Sequence, residues 1–199
     1  MGRCFKAKKE DKPAPETKVV ELSPQQKMIN AVTALFDQKL AFDTGSYIAG
    51  DIPKGEYAFI RFDGSGQYYS EENQNGDIVD NENFDSFGYV YVHQVGNISN
   101  DGLLVSVDAL SGLGVTGAKE LYEVINNKTN YSDAGWYKVG ADLPSGQYVA
   151  ESYGDGYVAV LSGPVGKNEI IDNEIFEGKY SFKVSDGQYL NISRAMITQ

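Results

Sequence analysis

Cysteine and histidine are almost missing from this chain: Cys4 and His93 are the only ones among its 199 residues. A single cysteine closes no intrachain disulfide, and one of each assembles no Cys/His metal site. No stretch approaches the roughly 18 consecutive apolar residues of a membrane-crossing helix, and no apolar h-region follows the start. Neither a membrane span nor an intact signal peptide is therefore expected, and the chain reads as soluble. No G-x-S-x-G nucleophile elbow is present. The Gly-rich DGSGQ (63–67) carries no Lys and is read between strands, which argues against a phosphate cradle. Positive charge is also scarce, with 17 Lys and Arg against 28 Asp and Glu, a net charge of −11. Residues 45–113 hold two basic against eleven acidic side chains and 135–199 five against eight, whereas 1–22 hold six against four. Such a surface repels phosphate backbones and anionic membranes, so nucleic acid is excluded as a partner and only the basic tail suits a membrane.

What the chain does have is apolar and aromatic content, 41% and 12%, too much for a disordered protein. Glycine (22) and tyrosine (14) far outnumber methionine (3), which favours turns and pleated surfaces over helical bundles. The heptapeptide IVDNENF (78–84) returns as IIDNEIF (170–176), and the landmarks around it return in the same order. GSYIAGDIPKGEY (45–57), YVYV (89–92) and DGLLVSV (101–107) are answered by GWYKVGADLPSGQY (135–148), YSFKV (180–184) and DGQYLNI (186–192). A period of this length is a supersecondary unit copied whole. The expected organisation is a tether over 1–22, a helical segment over 23–44, a first β unit over 45–113, a linker helix region over 114–134 and a second β unit over 135–199. The duplication favours two small cores over one.

Residues 3–22 are rich in Lys, Glu and Pro and have little to bury, the composition of a flexible tether. SPQQKMINAVTALFDQKL (23–40) predicts a helix with Ser23 as N-cap, Pro24 at N1 and Gln26 at N3. Its apolar stripe is Ile29, Val32, Phe36 and Leu40, widened by Met28 and Leu35. A shorter helix over 117–127 takes Thr116 as N-cap and turns Leu121, Val124 and Ile125 inward. Within each unit the apolar period drops to two. Leu190 and Ile192 face one way and Tyr189, Asn191 and Ser193 the other, with Val105 and Val107 in the matching inward places. IPKG (52–55) and LPSG (143–146) have the composition of type I turns. About six short antiparallel strands per unit, in a small sandwich or barrel, give an all-β fold with a short amphipathic helix before each unit.

GWYKVGADLPSGQY, IIDNEIF and DGQYLNI together resemble a repeat of lipoproteins and secreted proteins of Gram-positive bacteria, whose opening is G-x-Y-x-V-G-x-D-I-P-x-G-x-Y. The resemblance covers residues 45–113 and 135–199, and the second unit matches more closely. The first lacks one residue before Asp51 and inserts HQVGNISN (93–100). That family has no assigned activity, so the resemblance implies an extracellular or envelope-anchored location and no catalytic residues to carry over. Cys4, followed by a charged, Pro-containing tether, looks like the start of a mature lipoprotein and is the expected lipid attachment, although Arg3 stands where such proteins have a small residue.

Asp80 with Glu82, and Asp172 with Glu174, sit two apart and project to one side of a strand. Such pairs serve as Ca²⁺ ligands or as an acid/base couple. Two carboxylates are too few for Ca²⁺, and the expectation is a solvated edge flanked by buried Ile and Phe side chains. Twelve of the fourteen tyrosines fall in the β units, where they are either strand residues or a sugar-stacking surface. Trp136, whose counterpart is Ser46, and its neighbour Tyr137 are the expected ligand contacts. His93 is expected in a surface loop or at a strand end. The sequence thus points to a non-catalytic envelope or secreted binding or adhesion protein with paired β modules, a glycan or protein ligand, and no metal or cofactor. The alternatives are a carboxylate-pair glycosidase and an intracellular interaction module.

Overall fold

The structure, a computed structural model, describes residues 21–198. The first helix starts as the sequence demands: Ser23 is extended, its hydroxyl accepts the Gln26 N–H at 3.1 Å, and Pro24 opens α1 (Pro24–Phe36). It stops four residues short of the expected Leu40. Lys39 adopts φ +56 and the Leu40 N–H bonds back to the Leu35 carbonyl at 3.1 Å, a left-handed closure that no helix continues through.

Eight short strands follow: β1 (Ala41–Phe42), β2 (Gly45–Tyr47), β3 (Gly55–Ile60), β4 (Tyr68–Glu72), β5 (Ile78–Asn83), β6 (Phe87–Val92), β7 (Ile98–Asn100) and β8 (Leu103–Ser106). They form two four-stranded antiparallel sheets, ordered β1-β8-β3-β6 and β2-β7-β4-β5. The short α2 (Val107–Leu110) and α3 (Ala118–Ile125) lead to β9 (Gly135–Lys138), β10 (Gly146–Leu161), β11 (Ile170–Phe176), β12 (Lys179–Val184) and β13 (Tyr189–Ile197). These five make one antiparallel sheet, β11-β10-β13-β9, with β12 on the other end of the 16-residue β10. The fold is all-β and antiparallel, as expected. The strand count is eight and then five, against the expected six and six: β10 and β13 run unbroken where the first half divides into β3 and β4 and into β7 and β8, and β1, inside the 23–44 segment expected to be helical, has no strand counterpart. Val107, expected in a strand, opens α2.

Both halves use one pairing scheme. Gly55 pairs with Val92 as Gly146 pairs with Val184. Ser99 lies between Ser46 and Ser70 as Asn191 lies between Trp136 and Ala159. The heptapeptides match down to their irregularity: Glu72 pairs with Ile78 and Glu71 with Asp80, so Val79 is an unpaired extra residue, and Ile171 is extra in the same way between Leu161–Ile170 and Val160–Asp172. A bulge of this kind bends an edge strand and is fixed in place by its flanking pairs.

The halves share one hydrophobic cluster, where two cores were expected. The reason lies in β6. Phe87 and Tyr89 point away from their own sheet and are fully buried, stacking edge-on against Tyr137 and Tyr189 at 4.9 and 5.6 Å. Tyr91 N–H donates to Val165 O at 2.8 Å and Val165 N–H to Tyr89 O at 3.0 Å, so the 162–169 loop clips onto β6. The corresponding outward positions of β12 are Lys179, Ser181 and Lys183, all exposed. The second half therefore presents a polar face where the first presents a buried aromatic one.

α3 is capped from outside itself. Thr116, the expected N-cap, instead bonds Glu120 through its N–H and hydroxyl, and Gly117 takes the cap position. The first helical N–H groups go to Tyr89 OH (from Ala118, 2.8 Å) and to Asp142 Oδ1 (from Lys119, 2.9 Å). Asp142 Oδ2 also accepts from Tyr89 OH at 2.6 Å and Lys138 N–H at 2.8 Å. A methyl group at Gly117 would collide with that carboxylate. One aspartate thus ties α3, β6 and the β9 turn together.

Candidate functional site

Cross-strand partners in an antiparallel ladder share a face. On the outer face of the five-stranded sheet, Trp136, Asn191, Ala159 and Asn173 form one row across β9, β13, β10 and β11. Ser193, Tyr157 and Ile175 form the next row, and Tyr189, Leu161 and Ile170 lie on the other side of the first. Much of this face floors a groove of about 410 Å³, with Asn168 from the clipped loop and Arg194 at its rim and Glu82 of β5 as its opposite wall. Arg194 reaches the rim because it sits at φ +52 in the irregular step where β13 leaves Tyr157 and rejoins Ser152. A smaller recess continues the groove past Asn83, Asp85 and Gly135.

The groove is chemically mixed. Ala159 and Leu161 give an apolar floor, Tyr157 and an edge of Trp136 contribute aromatic surface, and Asn168, Asn191 and Ser193 supply hydrogen-bonding groups. Burial holds the Glu82 carboxyl above its usual range, opposed by the Asn83 N–H that it accepts and reinforced by the charge of Asp85. The corresponding face of the first half is different. Its central row is Ser46, Ser99, Ser70 and Asn81, flanked by Tyr68 and Asn83, so the same pleated surface is almost wholly polar there. A second cavity, about 260 Å³ under α1, is lined by Ile29, Val32, Phe36 and Leu103 with Asp43 as its one charged residue, and offers little to orient a polar ligand.

The residues singled out from sequence land in several places. Trp136 is only 5% exposed, its ring edge-on to Phe84 at 6.2 Å, so the expected free indole is a core residue with one margin in the groove. Tyr137 is 1% exposed, packs on Phe87, and donates its hydroxyl to the Asp133 carbonyl at 2.6 Å; it has no surface left for a ligand. The residues that cover them, Phe84 over Trp136 and Phe87 over Tyr137, lie some fifty positions earlier in the chain. Cys4 lies outside the described residues.

The two heptapeptides close on buried phenylalanines, Phe84 and Phe176, as expected. Their aliphatic flanks are not buried: Ile78, Val79, Ile170 and Ile171 are all substantially exposed, because β5 and β11 are edge strands with nothing stacked on their outer side. Asp172 and Glu174 are solvated, whereas the second half partly covers Asp80 and Glu82.

Sequence reading missed Glu71, a fully buried carboxylate standing where the second half has Val160. It accepts the N–H groups of His93 and Val95 at 2.9 and 3.1 Å and faces His93 Nδ1 at 3.1 Å, so it anchors the inserted 93–97 loop. Asp80 lies 3.9 Å from the same ring nitrogen, and burial raises its carboxyl above the usual range while His93 opposes the shift. His93 is thus a half-buried strand-end residue with carboxylate partners. Among the described residues no group of three or more His, Cys, Asp or Glu side chains is arranged to hold a metal ion, and no helix is long and apolar enough to cross a membrane. Comparison with known proteins gives no match to any family model, curated sequence or solved structure.

Proposed function

We infer that the chain carries two copies of one β module and is a non-catalytic binding protein, whose ligand site is the groove on the outer face of the second copy. The observation that carries this reading is the contrast between equivalent faces: Ser-Ser-Ser-Asn, flanked by Tyr68 and Glu72, in the first half against Trp-Asn-Ala-Asn, flanked by Tyr157 and Leu161, in the second. Trp136 packs on Phe84 and Tyr189 on Tyr89, which accounts for those two rings; Tyr157, Ala159 and Leu161 remain as the apolar and aromatic lining of the groove. A neutral glycan suits the groove, because its C–H faces pack on apolar and aromatic surface while its hydroxyls pair with Asn168, Asn191 and Ser193. The first module is then a platform that supplies the Glu82 wall and buries the back of the second.

The resemblance of the repeat to Gram-positive lipoproteins and secreted proteins, with Cys4 ahead of a charged tether, supports an extracellular or envelope-anchored location. Fractionation of the producing cells tests this, and recovery of the intact chain only from the cytosol would favour an intracellular interaction module. Binding is tested by titrating neutral oligosaccharides while following the amide resonances of residues 157–161 and 189–194. Tyr157→Ala and Asn191→Ala should each weaken binding with little loss of stability. Absence of any shift across a panel of hexose and N-acetylhexosamine oligomers refutes the glycan reading.

A second reading rests on Glu82, whose burial-raised carboxyl shares the recess with Asp85. Two carboxyl groups facing one recess are the arrangement that a carboxylate-pair glycosidase uses. Hydrolysis of a groove-bound oligosaccharide that Glu82→Gln abolishes, with binding retained, would favour that enzyme.

A further inference from the structure

β11 is the free edge of its sheet, so one row of its backbone N–H and C=O groups faces solvent unpaired. Edge strands are ordinarily blunted by charges, a bulge, proline or a covering loop; β11 carries a bulge at Ile171 and the carboxylates Asp172 and Glu174 but no lysine, proline or covering loop, and its residues are Ile-Ile-Asp-Asn-Glu-Ile-Phe. Ile170, Ile171 and Ile175 are 59, 54 and 66% exposed. Of the two edge strands β11, whose carboxylates are exposed, is the more apolar, since Ile175 stands where β5 has Asn83. Polar capping of an exposed end accounts for Lys179, Ser181 and Lys183 on β12, yet the neighbouring edge runs the opposite way. Charge is sorted as well. Glu169, Asp172, Glu174 and Glu177 stand within nine residues, and none of them is in an ion pair among the described residues.

The pleat separates these features by face. Ile170, Asn173 and Ile175 share the groove face with Leu161, Ala159 and Tyr157, whereas Asp172 and Glu174 share the opposite face with Val160 and Val158. A strand added to the edge would lay alternate side chains on isoleucine and on carboxylate. We propose that β11 is a docking edge for an extended segment of a partner protein in which aliphatic and basic residues alternate. The aliphatic side chains extend the hydrophobic surface of Ile170 and Ile175, and the basic ones pair across the ladder with Asp172 and Glu174. A second copy of the chain fits poorly: antiparallel self-pairing centred on Asn173 sets Asp172 against Glu174, parallel in-register pairing sets each carboxylate against itself, and both copies carry a net charge of −11. This docking edge does not depend on the groove holding a glycan.

The probe is a blocked peptide of alternating lysine and valine, seven residues long like β11. Its control is an isomer of the same composition with the lysines grouped at one end. Affinity for the full chain is measured at about physiological ionic strength, with amide exchange followed residue by residue. The alternating peptide should bind about ten-fold more tightly than the grouped isomer and slow exchange within residues 170–176. Asp172→Asn with Glu174→Gln, and separately Ile170→Thr with Ile175→Asn, should each weaken it by about five-fold or more while leaving the thermal midpoint unchanged, since all four side chains are exposed. Equal affinity for the two isomers would reduce the effect to charge attraction and overturn the proposal. Protection elsewhere in the chain, or no binding, would do the same, as would a dimer in sedimentation that Ile175→Asn dissolves, which would make a second copy the occupant.

Discussion

Replacing Asp142 tests the tie between the two halves, and the first half supplies its control. Asp142→Ala removes the acceptor of the Lys119 N–H at the start of α3, a capping loss of about 1 kcal/mol. It also strands the Lys138 N–H and deprives the Tyr89 hydroxyl of its acceptor, each costing about 1–2 kcal/mol in a site with little water. Part of this is offset, because burial holds the Asp142 carboxyl above its usual range despite three donors, so its ionised form already bears a desolvation cost. A net loss of about 3–4 kcal/mol is expected in urea unfolding of the full chain followed by circular dichroism. Asp51 holds the same place in the first copy, is exposed, and accepts only the Ile48 N–H at 3.2 Å; Asp51→Ala should stay within about 1 kcal/mol. Equal losses for the two variants would mean that the Asp142 network does not join α3 to β6 and β9 in any energetically relevant way.

Other positions give sharper or smaller effects. Glu71→Val copies the second half but strands the His93 and Val95 N–H groups, so it should cost about 2–4 kcal/mol and speed amide exchange in residues 93–97; unchanged exchange would show that the loop holds itself. Phe176→Ala should cost about 3–5 kcal/mol, whereas Asp172→Ala stays within about 1 kcal/mol. Millimolar Ca²⁺ should leave the melting temperature unchanged, and a rise of several degrees would make the heptapeptide a ligand loop. Asp80 and Glu82 titrate above their ordinary values of 3.8 and 4.5, so the folded state binds protons more readily than the unfolded chain. Stability from these groups rises as pH falls from neutrality through the folded values and is fully gained below the ordinary ones. The melting temperature should therefore be higher near pH ~5 than near pH ~7.5, and Asp80→Asn with Glu82→Gln should reduce the difference, the buried Asp142 carboxyl supplying the remainder. A steady fall on acidification would contradict it.

Local chemistry was enough for some features, and only the assembled tertiary structure decided others. Ser23, Pro24 and Gln26 announce the start of α1 because capping is settled within one turn. The period-two spacing of Leu190 and Ile192 sets their inward face because adjacent side chains on a strand must diverge. Two near-identical heptapeptides imply two equivalent strands, and their shared bulge and buried Phe follow from the same residues. Which outward faces meet water was not local. Trp136 and Tyr137 vanish beneath Phe84 and Phe87, while Ile170 and Ile175, chemically as apolar, stay exposed because no described element packs on them. Thr116 loses the cap of α3 to Asp142 and Tyr89, acceptors more than twenty residues distant. Glu71 can be buried because a loop inserted elsewhere in the chain turns its N–H groups toward it. Pleat, turn and cap depend on neighbours a few residues apart, and the chain spells them out; burial of a face depends on which distant surface arrives to cover it, and that is fixed only when the two halves pack.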